Sequence, residues 1–138
     1  MKVLLDTVAI SGLRRPDRQT LPFQRWARHF DIKEAYLSAI SLTEIRRGIE
    51  MERRRQTKFA EQLAFWFNEA LLPEFASRVL PFDIPIALLC GGLPTPDMRF
   101  DEDTMIAATA ICHELPIVTR NVSHFKRLDV SIINPWDD

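Results

Sequence analysis

The sequence predicts an α/β fold in which a five-stranded, mostly parallel sheet is flanked by helices on both faces, and three observations carry that expectation. Val3-Leu4-Leu5 is an unbroken apolar run, the pattern of a strand buried on both sides. Strand-like and helical segments then alternate along the chain, as parallel pairing requires, because the crossover between parallel strands is usually a helix. Finally, Asp6 ends the first strand, Glu44 opens the helix after the second, Asp103 opens the helix before the fourth and Asn121 follows the fourth, so that all four come to one edge of the sheet. In such sheets that edge is where sites form, near the point at which strand order reverses.

In chain order, residues 1–7 form the first strand, stopping on Asp6, and residues 7–13 a short helix closed by Gly12. A polar loop over 14–20 leads to an amphipathic helix over 21–30, with Pro22 near its start and Phe23, Trp26, Ala27 and Phe30 at helical spacing. After a turn at 31–35, residues 36–41 read as an internal strand. Ser41-Leu42-Thr43-Glu44 fits a capping box, Ser41 at the N-cap and Glu44 three residues on. The helix it opens turns Leu42, Ile45 and Ile49 inward and Arg46, Arg47 and Glu50 outward.

Beyond a charged turn at 52–55, residues 57–72 form the longest helical segment, striped by Phe59, Leu63, Phe67 and Leu71. The two arginine-bearing helices make a hairpin laid across the sheet's edge. Residues 79–82 form a third strand, and Pro81 assigns it to an edge. A brief helix over 84–90 precedes a loop over 91–99 that holds Gly91, Gly92, Pro94 and Pro96. Residues 101–104 open a helix over 105–113. A fourth strand at 116–119, a short helix at 121–128 and a fifth strand at 130–133 complete the pattern.

The 138 residues read as one domain, 1–138, and at 46% hydrophobic they can bury a core without disulfides or metal. Cys90 and Cys112, both among apolar neighbours, read as buried thiols in a reducing compartment. There is no signal-peptide pattern and no apolar run near the ~18 residues of a membrane span, so a soluble, cytoplasmic protein with no membrane partner is expected. The net charge of −1 hides an asymmetry: residues 1–58 hold 13 Lys/Arg and 7 Asp/Glu, residues 59–138 hold 5 and 12. Such a basic half, mostly arginine, raises the odds of a polyanionic partner, although solvated helix faces explain any single arginine equally well.

Each polar residue at the sheet edge has an ordinary structural role open to it. Asp6 and Asn121 can cap helices, Glu44 can be the far half of a capping box, and Asp103 can complement a helix dipole. Those roles do not explain three acids meeting at one edge, where they repel unless a cation or proton lies between them. Hard oxygen donors of this kind suit Mg2+ or Mn2+.

Leu5-Asp6-Thr7, the run from Ser38 to Ile49, the run from Asp103 to Ala110, Val118-Thr119-Arg120-Asn121-Val122 and Asn134-Pro135-Trp136 together resemble the successive motifs of PIN-domain ribonucleases. More closely they resemble the VapC-type toxins of type II toxin–antitoxin systems, including the FitB-like branch. The resemblance implies a PIN-like five-stranded parallel sheet and a Mg2+-dependent (or Mn2+-dependent) endoribonuclease. It assigns Asp6, Glu44 and Asp103 as metal-holding acids and Asn121 as the fourth catalytic position; Thr7, Thr119 and Asn121 are then candidates to hold waters bound to the metal. It also implies an RNA substrate, a homodimer, and a VapB-like antitoxin that plugs the site, forming a heterotetramer or larger assembly that reaches operator DNA only through the antitoxin. Arg14, Arg15, Arg46 and Arg47 are the candidates to hold the RNA backbone, contacts that give affinity rather than sequence choice. His113 and His124 are poor candidates for a general base. The chain departs from the pattern at Val8, at Asn121, where many members carry an acid, and at His124, where an acid often precedes the phenylalanine.

Two other readings compete. A haloacid dehalogenase-type phosphatase needs a second acid where Val8 stands, and a receiver domain needs an acidic pair that is not found. A catalytically weak PIN domain, acting by binding RNA or, with its antitoxin, DNA, is the non-enzyme alternative.

Overall fold

The structure is a computed structural model that describes residues 1–95 and 101–137. Its strands form one sheet in the order β3-β2-β1-β4-β5, and every pairing is parallel. β1 (Val3–Leu5) is central: Leu5 pairs with Leu37 of β2 (Ala35–Ser38) on one side and with Val118 of β4 (Ile117–Val118) on the other. β3 (Val79–Leu80) and β5 (Ile132–Ile133) are the edges, as Pro81 suggested for β3. The chain moves outward from β1 through β2 to β3, then crosses to β4 on the other flank. The carboxyl end of β1 is therefore the switch point of the sheet.

Alternation along β1 divides the core. Val3 and Leu5 pack with Ala9 and Ile10 of α1 (Thr7–Arg14), Phe23 of α2 (Leu21–His29) and Ile45 and Ile49 of α3 (Ala39–Arg53). Leu4 faces the other way, onto Ile106, Ala107 and Ala110 of α7 (Glu102–Cys112) and Phe125 of α8 (Val122–Phe125). The alanines bring α7 close to the sheet. All three β1 residues are buried, as a strand covered on both faces must be.

Several boundaries differ from expectation. β2 ends at Ser38, not residue 41, because the Ser38 hydroxyl accepts from the Ile40 N–H at 3.1 Å and starts α3 three residues early. The capping box read at Ser41 and Glu44 therefore does not form. Ser41 is buried in the first turn and Glu44 lies in the second. Nor does Gly12 close α1. It lies within the helix, where a Cβ would come 3.0 Å from Phe23 Cζ and 3.2 Å from Trp136 Cζ2, so close packing is what requires the glycine.

The long helix runs further than 72. α4 (Thr57–Trp66) passes through a π-helical turn, Phe67–Leu71, into α5 (Leu72–Phe75). The wider turn lies just ahead of Pro73, whose ring would clash with the Glu69 carbonyl four residues back in a regular helix. α6 (Ile84–Gly92) includes Gly91 and Gly92, which read as loop. Each glycine costs a helix only about 1 kcal/mol, and α6 is anchored by buried Ile86 and Cys90 and by Asp83 accepting from the Ile86 N–H. The remainder of that predicted loop, 96–99, lies outside the described residues. Cys90 is buried but Cys112 is exposed, correcting its expected burial. Successive helical residues point about 100° apart, so apolar sequence neighbours do not bury it. Among the described residues, no helix is long and apolar enough to cross a membrane.

Candidate functional site

Asp6 is placed by the sheet itself. It follows β1 directly, and its N–H still reaches the Val118 carbonyl at 3.1 Å. Its carboxylate is 1% exposed. Oδ1 accepts from the Ala9 N–H at 2.8 Å, so Asp6 does cap α1, and the buried Thr119 hydroxyl donates to the same carboxylate. A simple cap, however, is usually wet. Burial pushes the Asp6 carboxyl from 3.8 up to about 6, and the charges of Asp103 and Glu44 push in the same direction against the two hydrogen bonds.

Glu44 arrives from α3, whose early start rotates it toward α1. Thr7 donates its hydroxyl to Glu44 Oε1 at 2.5 Å and lies 3.0 Å from the hydroxyl of Ser41. Burial raises the pKa of Glu44, and the charges of Asp103, Glu102 and Asp101 add to it, opposed by the Thr7 hydrogen bond. Asp103 stands in the first turn of α7. The cap of that helix is Asp101, which forms a reciprocal capping box with Thr104, so Asp103 is not needed to end it. Instead Asp103 Oδ2 lies 2.8 Å from His124 Nδ1. Asn121 occupies the N-cap position of α8, but its side chain makes no capping bond. Its N–H is held by Thr119 Oγ1 at 2.9 Å.

Asp6, Glu44 and Asp103 thus lie within electrostatic reach of one another at the switch point. Thr7 and Thr119 each hold one of these acids. Three hard carboxylates, one of them raised chiefly by its burial and further by the charges of the other two, form a donor set that a divalent cation relieves. As the side chains stand, no three His, Cys, Asp or Glu groups among the described residues close round a single ion. One oxygen of Glu44 is held by Thr7 and one of Asp103 by His124. The donors fit Mg2+ or Mn2+, ions that keep several waters and take only one or two carboxylates directly.

The four candidate RNA-holding arginines are dispersed. Arg14 packs over the Phe59 ring at 5.7 Å and lines a groove of about 230 Å3 that also contains Thr7, Glu44 and Trp66. The groove adjoins an apolar cavity of about 210 Å3 between Leu5, Ile10, Trp66 and Phe75. Arg15 is paired with Asp17 at 3.0 Å and Arg46 with Glu50 at 3.3 Å, while Arg47 is exposed beside Arg46. Arg14 shares this groove with Glu44, one of the acids.

Sequence reasoning missed two contributors. His124 was set aside, although its spacing of three from Asn121 on one short helix was a usable signal. Ser41 was read as a cap and is instead a buried hydroxyl against Thr7. His113 ends α7 at its C-cap, near the helix end where the sequence placed it.

Comparison with known proteins agrees with this architecture. Residues 3–131 match the PIN domain family model. Toxin FitB of Neisseria gonorrhoeae is 34% identical over 99% of both chains, and VapC ribonuclease Y4jK of Sinorhizobium fredii is 35% identical over 98% of both. Among solved structures, the crystal structure of FitAcB from Neisseria gonorrhoeae superposes with a TM-score of 0.83 at 32% identity, covering 99% of each chain. FitAB bound to an IR36 DNA fragment gives 0.85 at 31% identity, covering 99% of this chain and 96% of the other.

Proposed function

This chain belongs to the PIN-domain family, among the FitB and VapC toxins, and on that premise we propose that it is a Mg2+-dependent endoribonuclease, with Mn2+ as substitute, acting as the toxin of a toxin–antitoxin pair. One observation carries the reading. Asp6, a carboxylate at the switch point, is raised to about 6 chiefly by burial, and the charges of Asp103 and Glu44 add to the rise. A group built only to cap a helix gains nothing from two acids beside it.

Asp6 and Asp103 would hold the cation directly, and Glu44 would hold it through a bound water. Bound there, the ion supplies Lewis-acid charge to the phosphodiester and lowers the pKa of water. Thr119 keeps Asp6 oriented, and Thr7 keeps Glu44 oriented. Glu44, only partly buried, takes the proton of the attacking water as its oxygen adds in line to phosphorus. The bond to the leaving ribose oxygen breaks as the new one forms, and the proton taken by Glu44 passes through water to that oxygen. Asn121 supplies a neutral amide at the fourth position, which favours few ligands and a hydrated ion. Arg14, on the rim of the Glu44 groove, and exposed Arg47 hold the RNA backbone. Arg15 and Arg46 join them only by exchanging Asp17 and Glu50 for phosphate.

The partner is a small VapB-like antitoxin that lays a segment along the groove from Glu44 to the apolar cavity by Trp66. The toxin forms a homodimer in the cytoplasm and reaches operator DNA through the antitoxin. Complexes named FitAB and FitAcB among the structural relatives support this. A second reading, a catalytically weak domain that acts by binding, has Asn121 in place of an acid as its support.

Purified protein incubated with structured RNA separates the two. Cleavage should require Mg2+, stop with EDTA, return with Mn2+, and fall at least about 100-fold in Asp6→Asn and Asp103→Asn, the upper range seen when even an outer partner of a metal ligand is lost. RNA retention without cleavage would favour the binding module. Cleavage that survives EDTA would sink the metal mechanism.

A further inference from the structure

We propose that His124 is a positioning residue for Asp103: its Nδ1–H holds one carboxylate oxygen, Oδ2, and leaves Oδ1 for a divalent cation. The proposal rests on the metal-dependent reading above and deepens it at one residue.

The geometry is direct. His124 Nδ1 and Asp103 Oδ2 are 2.8 Å apart, within the short range of charge-assisted hydrogen bonds. An ionised carboxylate only accepts, so Nδ1 must carry the proton. That fixes the ring's tautomer and turns Nε2 away from the acid. Asp103 needs such a partner. It stands in the first turn of α7 and is not the cap, since Asp101 and Thr104 satisfy the helix start between themselves. Without His124, no hydrogen bond in the described residues would select a rotamer for its side chain.

The backbone carrying His124 is also built to hold still. Phe125, the next residue, is fully buried against Ile106, Ala107 and Ala110 of α7, the helix that presents Asp103. On the other side, Thr119 binds the Asn121 N–H and donates to Asp6. The four-residue α8 is thereby fastened at one end to α7 and at the other to the first acid. The ordinary alternative is a surface ion pair, since the His124 side chain is 55% exposed and that of Asp103 24% exposed. Such pairs contribute little to stability. The two roles make different predictions: a surface pair affects nothing at the site, whereas a ligand's hydrogen-bond partner governs cation affinity.

The test is Mn2+ binding to the purified full chain without RNA, read by titration calorimetry or by the loss of the free Mn2+ resonance signal. His124→Ala should weaken Mn2+ binding by about 10- to 100-fold, the range for partners of metal ligands. His124→Asn, whose amide can donate from nearly the position of Nδ1, should restore most of that loss. Thermal midpoints in EDTA should match wild type for both variants. Equal Mn2+ affinity in wild type and His124→Ala, with Asp103→Asn weakened, overturns this proposal and leaves the metal-dependent reading intact. Failure of wild type itself to bind Mn2+ overturns both. Loss in His124→Ala with no recovery in His124→Asn overturns the assignment of Nδ1 as the positioning donor.

Discussion

The acidic edge and the arginine-bearing hairpin are both crowded with charge, yet they treat it in opposite ways. On the hairpin, Glu50 bridges Arg46 and Arg53, and Arg53 also reaches Glu61, all on exposed positions. Those charges neutralise one another in water, and several of the bases of residues 1–58 are already spent within the chain. At the sheet edge, Asp6, Glu44 and Asp103 face one another, and burial drives Asp6 up to about 6. A count of charges in sequence treats the two regions alike. Pairing separates them: the hairpin's charges satisfy one another, whereas burial raises the carboxyls of Asp6 and Glu44, and the charge of Asp103 raises both further.

The sharpest test of that difference is to neutralise one charge in each region. Asp6→Asn should reduce RNA cleavage by at least about 100-fold, whereas Arg46→Ala should lower RNA affinity only a few-fold, with the difference from wild type widening as salt falls. Equal losses in the two variants would erase the distinction.

Stability should move the other way. The native Asp6 carboxyl titrates near 6 against 3.8 in the free group, so between those values the folded chain holds the extra proton. Its contribution is therefore greatest below about pH 4 and is lost as pH rises through 6. Asp6→Asn, which keeps a capping oxygen, should stabilise the metal-free protein at pH 7 by up to roughly 3 kcal/mol and make no difference below about pH 4. Denaturation curves across that window check both the sign and the range. Mn2+ should supply a comparable effect to wild type, about 2.7 kcal/mol at a hundred times its dissociation constant, and none to Asp6→Asn. The smallest effect belongs to the hairpin: Glu50→Gln should leave the thermal midpoint unmoved, because its partners are solvated.

The strand order of burial was plain in the residues, since Val3-Leu4-Leu5 admits few other readings. So was the alternation that yields a parallel sheet. Boundaries governed by a single side chain were less legible. Ser38 and Ser41 both precede apolar helical residues, and only three-dimensional packing shows which hydroxyl finds an N–H. Gly12 looks like a helix end in one dimension and proves to be a gap left for two aromatic rings from distant segments. At the site, the acids announced themselves by residue type. What holds them did not, because the bonds of Thr7 to Glu44 and of His124 to Asp103 join residues far apart in sequence. Pairing across space leaves no local pattern to read.

The central position of β1 has a kinetic consequence. Leu5 pairs with Leu37 within the first third of the chain, but its other neighbour is Val118. Phe23 likewise waits for Trp136, whose ring lies tilted against it with centroids 4.5 Å apart. Contacts of such long sequence separation are slow to form, because loop closure must precede any gain from burial. Until β4 arrives, Asp6 lacks both the Val118 carbonyl and the Thr119 hydroxyl that fix it. The three carboxylates are therefore brought to one edge only when folding is nearly complete, and on the proposed function a partially folded chain has no means to cut RNA.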